Sequence, residues 1–481
     1  NPQVLATMPH LQVMIGADKD YLAPLVAYKL NLTGPAISLA TACSTSLVAI
    51  GQAIQSLLNY ECNAALAGGA SISVPLNAGY LHQEGEMLSA DGHCRPFDAN
   101  SSGTTFNDGA AVITLKRLED AVADQDDIYA VIRGVGINND GSDKVSYTAP
   151  SVNGQIDVLN SALALADVDP ASISFIETHG TATRMGDPIE VAAIRAVYGD
   201  DPSAMPCALG SVKSNIGHTI HAAGIAGVIK AALAVRDGVI PPTLNFEAPN
   251  PDLQLEGSRF YVNKKAADWP DSGPRRAGVS SFGVGGTNAH AIIEQPPAVP
   301  SDASERTQVT APPLLLVSAK DAETCMRQVM NLAEFVRSDP GSANMGDIGF
   351  TLARSRASFD SRTAVFAADS AELAEIDEQS GRLVRGRARP RNTLVWAFPG
   401  QGAQRSGMGA GLARQSTSYC TALESVTREL NQHLDLDINQ LLQQGDAPDE
   451  RISETQYAQP ALFAVAYALA EHYRAYGLKP D

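Results

Sequence analysis

The chain is poor in cations: 35 lysines and arginines stand against 53 aspartates and glutamates, a formal net charge of −18. A surface of that balance repels phosphate backbones, which excludes nucleic-acid binding as its main task. Cysteine is scarce too, with six residues at positions 43, 62, 94, 207, 325 and 420. None forms a Cys-x-x-Cys pair or a short secreted framework, so zinc and disulfides are both poor readings, and a reducing, cytoplasmic setting is expected. No metal site is expected. No apolar run reaches the roughly 18 residues of a membrane span, and no period of about 20 to 50 residues marks a repeat protein. What remains, 481 residues with 44% hydrophobic and 18% charged side chains, is material for two to four globular domains.

The most informative residue is Cys43, in Leu39-Ala40-Thr41-Ala42-Cys43-Ser44-Thr45-Ser46. There an apolar strand-like run turns into a long helix-like run. A thiol at that turn faces the first free amides of a helix, whose partial positive charge favours the thiolate.

Two histidines lie in polar loops far downstream. His179 follows the β-type run Ile173 to Glu177 and precedes Gly180-Thr181-Ala182-Thr183. After it, Gly186-Asp187-Pro188-Ile189-Glu190 has capping-box spacing, which predicts a helix starting at Asp187. His218 ends Ala208-Leu209-Gly210-Ser211-Val212-Lys213-Ser214-Asn215-Ile216-Gly217-His218, again a short strand running into a Gly/Ser/Asn loop. Beyond it, the small apolar residues from Ala222 to Val235 predict a tightly packed internal helix. A last glycine loop, Ser280-Ser281-Phe282-Gly283-Val284-Gly285-Gly286-Thr287-Asn288-Ala289-His290, leads into strand-like Ala291 to Glu294. Its glycines let a backbone amide approach a reacting oxygen closely.

Each motif alone is weak, but their order resembles the β-ketoacyl synthase family, specifically the ketosynthase domains of type I polyketide synthases. The resemblance covers residues 1 to about 295 and includes Ser89-Ala90-Asp91-Gly92-His93-Cys94-Arg95-Pro96-Phe97-Asp98. It implies a thiolase-like α/β fold of layered helices and sheets (αβαβα), with Cys43 carrying an acyl group and the backbone amides of Cys43 and Phe282 holding the oxyanion. His179 and His218 are implied to stabilise the enolate of a malonyl-type thioester, a decarboxylative Claisen condensation. Lys213 would orient the histidines with Glu190 as its ionic partner, and Thr181 and Thr183 would grip a phosphopantetheine arm. That arm belongs to a partner acyl carrier protein; no cofactor is expected on the domain itself. Homodimerisation is implied as well. Two departures stand out: Ala182, where the family usually has glycine, and His221, where glutamine is frequent. His93, Cys94 and His290 read as structural.

Residues 392 to 481 carry a second resemblance. Phe398-Pro399-Gly400-Gln401-Gly402-Ala403-Gln404 looks like the opening of a malonyl-loading acyltransferase domain, with the Gln401 amide at an oxyanion position. No Gly-x-Ser-x-Gly nucleophile elbow follows. Only 42 residues precede Cys43 and the chain opens on Asn1, so the sequence reads as an internal fragment: a ketosynthase domain over 1–295, a linker domain over 296–391 and part of an acyltransferase domain over 392–481. The Pro-rich stretch 296–313 is the expected connector. Arginines 382, 385, 387, 389 and 391 form one basic cluster, read as a solvated or interdomain face in preference to a carrier-docking site.

Three other classes fit less well. A degradative thiolase would need a second cysteine in the 280–290 loop, and a nucleotide-binding oxidoreductase would need a βα unit with an acidic residue about 20 positions on. A ketosynthase that only passes acyl chains would typically lose His218, which is present.

Overall fold

Short apolar segments, the central ones buried on both faces, build the main sheet of the chain, whose computed structural model describes residues 7–75, 78–270, 273–298, 314–339, 344–389, 393–442 and 450–481. The chain divides into two compact units, Asn1–Pro300 and Ser301–Asp481.

In the first unit, β1 (Ala64–Ser71) and β2 (Gly109–Lys116) pair antiparallel as a two-stranded sheet. The next strands are β3 (Val131–Asn139), β4 (Phe175–Glu177), β5 (Cys207–Gly210), β6 (Val239–Ile240), β7 (Phe260–Val262), β8 (Ala267–Asp268), β9 (Arg276–Phe282) and β10 (Thr287–Glu294). Six of them form one sheet in the order β3-β10-β9-β4-β5-β7, while β6 and β8 pair separately. β9 and β10 are an antiparallel hairpin, whereas β4 is parallel to both β9 and β5.

Because side chains alternate across a strand, the six-stranded sheet feeds two cores. Phe175, Ala208, Val279 and Ala291 point into one, with Leu47 and Ile50 of the helix Thr45–Leu58 and Ile225, Val228 and Ala231 of the helix Ala223–Asp237. Ile176, Leu209 and Ile292 point into the other, with Leu159 and Ala162 of the helix Val152–Ala166 and Ile194 of the helix Gly186–Tyr198. Ala67 of β1 joins the first core from the far side of its helices. The layers therefore run sheet, helix pair, sheet, helix pair. The middle helices need small residues: a Cβ on Gly224 would lie 2.8 Å from that of Leu47, and one on Gly227 3.1 Å from the Val279 side chain.

Some expected elements shift. The run before Cys43 forms no strand, and residues 35–41 are irregular. The loop 280–290 is mostly hairpin, with only Gly283 to Gly286 forming its turn.

The second unit holds a three-stranded antiparallel sheet of Leu315–Ala319, Ser361–Val365 and Leu383–Arg387, packed with the helix Ala322–Ser338. A helical cluster follows, in which Tyr419 and Leu423 of Thr417–Leu430 meet Ala461, Ala464 and Ala468 of Thr455–Ala475. Arg382 pairs with Glu372 at 3.0 Å and Arg387 with Asp360 at 3.7 Å, while Arg385 donates to the Glu378 carbonyl. Arg391 and most of the connector, residues 299–313, lie outside the described residues. Among the described residues no helix is long and apolar enough to cross a membrane.

Candidate active site

Cys43 sits in a single 3-10 turn, Ala42–Ser44, that runs directly into the helix Thr45–Leu58. Ala42 takes a left-handed φ of 52°. The turn is braced by its own hydroxyls: Ser44 donates to the Thr41 carbonyl at 2.9 Å and Thr45 to the Ala42 carbonyl at 2.7 Å. From the end of β9, Ser281 donates to the Cys43 carbonyl at 2.9 Å. The glycine turn closes over this corner, for a Cβ on Gly283 would lie 2.4 Å from the Thr41 carbonyl oxygen.

Cys43 is only 6% exposed. Burial pushes its thiol above the ordinary value, and the Val284 amide, the Lys213 ammonium and its own amide pull it partly back. Desolvation is the largest influence on the sulfur and works against the thiolate expected at this turn. The loop amide set against the sulfur is that of Val284, not the expected Phe282. Gly283 donates to the Thr287 carbonyl at 2.8 Å and Phe282 is opposite Asn288, so the alternation of an antiparallel ladder turns the Phe282 N–H away from β10.

His179 lies two residues past β4, and its ring centroid is 5.5 Å from that of His218 and 5.7 Å from that of Phe282. Burial, then the charge of Lys213, holds both imidazoles well below their usual range. Both are neutral. The Ile220 amide donates to His218 Nδ1 at 3.1 Å, which fixes the tautomer and leaves the proton on Nε2. The His218 backbone is pinned on both sides, its N–H to the Thr105 carbonyl at 2.7 Å and its carbonyl to the Asn107 N–H at 3.0 Å. Phe106 packs against its ring at 5.4 Å. Sequence reasoning misses Thr105, Phe106 and Asn107, since nothing in the sequence marks that stretch as a neighbour of His218.

The carboxylates act differently from expectation. The helix does begin at Gly186, one residue early, but neither Asp187 nor Glu190 caps it. Asp187 accepts the Phe97 amide at 2.8 Å and the Ala182 amide at 3.0 Å. Glu190 accepts the amides of His179 at 2.6 Å and Gly180 at 2.8 Å, so it is a clamp on the histidine loop. It is not the direct ionic partner of Lys213, which has no carboxylate within ion-pair distance among the described residues. Lys213 is 3% exposed. Burial pulls its pKa down, and Glu177 and then Glu190 hold it up.

Thr181 and Thr183 place their hydroxyls 3.1 Å apart, half-buried. Between them Ala182 adopts a φ of 61°, the conformation glycine takes without strain. His221 is half-buried, its pKa lowered by burial and then by Lys19. Cys94 is internal, with the Thr105 amide donating to its sulfur at 3.2 Å. Asp91 pairs with Arg95 at 2.8 Å beside the exposed His93. His290 is enclosed by the Tyr198 hydroxyl at 2.6 Å and Ser280 at 2.9 Å, and burial pushes its pKa down to about 3. In the second unit Gln401 is exposed and donates to Thr455 Oγ1 at 2.9 Å.

Comparison with known proteins places this geometry. The family model described as Beta-ketoacyl synthase, N-terminal domain, matches residues 3–121, and that of the C-terminal domain matches 129–247. The Ketoacyl-synthetase C-terminal extension matches 249–364 and the Acyl transferase domain 395–481. Ketosynthase twelve of the bacillaene polyketide synthase of Bacillus amyloliquefaciens superposes with a TM-score of 0.72 at 37% identity, over 80% of this chain and 69% of that one. The module 6 ketosynthase of the Bacillus subtilis bacillaene synthase gives 0.69 at 35% identity, over 90% and 75%. The chain belongs to the β-ketoacyl synthase family, whose members are condensing acyltransferases. Within it, the chain is a polyketide-synthase ketosynthase with a thiolase-like fold, followed by the start of an acyltransferase domain. A phenolphthiocerol/phthiocerol polyketide synthase polypeptide of Mycobacterium tuberculosis is 41% identical over 479 residues, 96% of this chain and 32% of that relative. The chain thus spans about a third of the length of that curated relative.

Proposed function

We propose that the first unit extends acyl chains by decarboxylative Claisen condensation, with Cys43 as nucleophile. The Cys43 sulfur attacks an acyl thioester, its proton leaves on the departing carrier thiol, and the acyl group stays on the enzyme. The developing oxyanion is held by the amide of Cys43 and by one of the glycine turn, Phe282 by the resemblance and Val284 by its place against the sulfur. A malonyl-type thioester then loses carbon dioxide, and the enolate oxygen accepts hydrogen bonds from His218 Nε2–H and from His179. The enolate carbon attacks the Cys43 thioester, a C–C bond forms, the C–S bond breaks, and the departing thiolate takes a proton from water. The observation that carries this reading is the pair of neutral imidazoles 5.5 Å apart, one of them against Phe282 of the loop that covers Cys43.

The substrate carrier is an acyl carrier protein whose phosphopantetheine arm meets the hydroxyls of Thr181 and Thr183; Lys213 orients the histidines through its charge. In the second unit the Gln401 amide serves as an acyltransferase oxyanion donor. The domain bounds 1–295, 296–391 and 392–481 accompany this reading, as does a cytoplasmic location, supported by six cysteines that are all unpaired. A homodimer is supported by the helix Leu22–Leu30, which buries no residue and exposes Leu22, Leu25 and Tyr28. An acyl-passing ketosynthase that does not elongate is the second reading; the preset Nε2 donor of His218 favours condensation.

The test uses the full-length polypeptide that carries this sequence. His179→Ala or His218→Ala should slow carbon dioxide release from a malonyl carrier thioester by roughly 10²-fold or more, while Cys43 still accepts an acyl group. Lost self-acylation with intact carbon dioxide release would overturn these roles.

A further inference from the structure

Two catalytic loops leave the ends of β4 and β5, and one buried side chain joins them. Glu177, the last residue of β4, is 1% exposed. Its Oε1 accepts the Val212 amide at 2.5 Å, and its Oε2 lies 2.7 Å from Lys230 Nζ, an ion pair somewhat off the ideal hydrogen-bond direction. Glu177 is two residues before His179, and Val212 immediately precedes Lys213. Lys230 comes from a third element, the helix Ala223–Asp237, where it lies 5.7 Å from the Phe175 ring. Gly227 leaves room for the carboxylate, since a Cβ there would be 3.2 Å from Glu177 Cγ.

We propose that Glu177 is a positioning residue of the condensing site: with Lys230 as its buried counter-ion, it fixes the His179 loop to the turn bearing Lys213 and His218, and places a carboxylate charge behind Lys213. The proposal rests on the condensation reading given above. A buried ion pair is a poor source of stability, because desolvation offsets the attraction and an apolar pair of similar volume does as well or better. Its placement between two catalytic loops gives it a different use. Among the other groups around Lys213, Glu190 adds negative charge second to that of Glu177. Glu190 holds the His179 and Gly180 amides, Asp187 holds those of Phe97 and Ala182, and Cys43, His179 and His218 carry no standing negative charge. Glu177 has the largest part in keeping Lys213 protonated against its burial.

The experiment measures carbon dioxide release from a malonyl carrier thioester against pH in the full-length polypeptide, alongside thermal unfolding. Glu177→Gln keeps an acceptor for the Val212 amide but removes the charge, so the alkaline limb should move down by about one pH unit. Glu177→Asp keeps the charge but shortens the reach, so the limb should stay in place while kcat falls on the order of 10- to 100-fold with KM little changed. Lys230→Arg should retain both. A merely structural role would lower folded yield or rate at every pH without moving the limb. An unmoved limb in Glu177→Gln, or wild-type kcat in Glu177→Asp, overturns the proposal; if the Gln variant does not fold, the Asp variant decides alone. Wild-type protein that releases no carbon dioxide would instead overturn the condensation reading.

Discussion

Glu190 shows how one residue couples stability to the site. Burial, with the nearby Asp187 charge adding to it, pushes its carboxyl up to about 7 from an ordinary 4.5, although two backbone amides pull the other way. A carboxyl with a raised folded-state pKa binds its proton more tightly in the native protein. Its contribution to stability is therefore fully present below about pH 4.5 and lost as pH rises through about 7. A tenfold change in proton affinity corresponds to about 1.4 kcal/mol. In denaturant titrations of wild type and Glu190→Gln from pH 4 to 8, the difference between the two should therefore change across that window, with wild type losing relative stability as pH rises. A constant difference would show that Glu190 has the same pKa folded and unfolded. That role is illegible in the sequence, because Asp-Pro-x-Glu spacing announces a helix start but does not say whose amides the carboxylates take. By contrast Cys43, His179 and His218 are legible, since each sits beside glycine or hydroxyl residues at the end of an apolar run.

The Gly283–Gly286 turn is the element on which the proposed nucleophile depends. Gly283 lies against Thr41 and Ser44, and its neighbour Ser281 holds the Cys43 carbonyl. Gly283→Ala must push the turn away from the Cys43 corner and take the Phe282 amide with it. Acylation of Cys43 by an acyl thioester should fall by roughly 10²-fold, the cost of one displaced oxyanion donor, while unfolding by denaturant shifts modestly. Unchanged acylation would show that the turn is not part of the oxyanion site. The elements are legible only in part: the small apolar run marks the helix Ala223–Asp237. The stretch before Cys43 misleads because apolar content alone does not make a strand without a neighbour to pair with, and residues 35–41 find none. The glycine loop is shorter than expected because β9 and β10 continue almost to the turn, where pairing across the hairpin outweighs the weak strand propensity of serine and asparagine.

At the scale of the whole molecule, an acidic chain of net charge −18 keeps its few cations where they act: Lys213 and Lys230 inside the first unit, and arginines 382 and 387 paired on the second. The layered sheets and helices of the first unit bring Cys43, His179 and His218 to one place from three distant parts of the chain. That convergence is the claim to test. The most direct measurement is a single turnover of the full-length polypeptide, pre-loaded with an acyl thioester and then given a carbon-13-labelled malonyl carrier thioester. Mass spectrometry follows the acyl adduct on Cys43 and the carrier-bound product together. The account predicts that the Cys43 adduct disappears at the rate at which a β-ketoacyl thioester, two labelled carbons longer, appears, and that Cys43→Ala forms neither. Transfer of the acyl group without elongation, or elongation in Cys43→Ala, would contradict it.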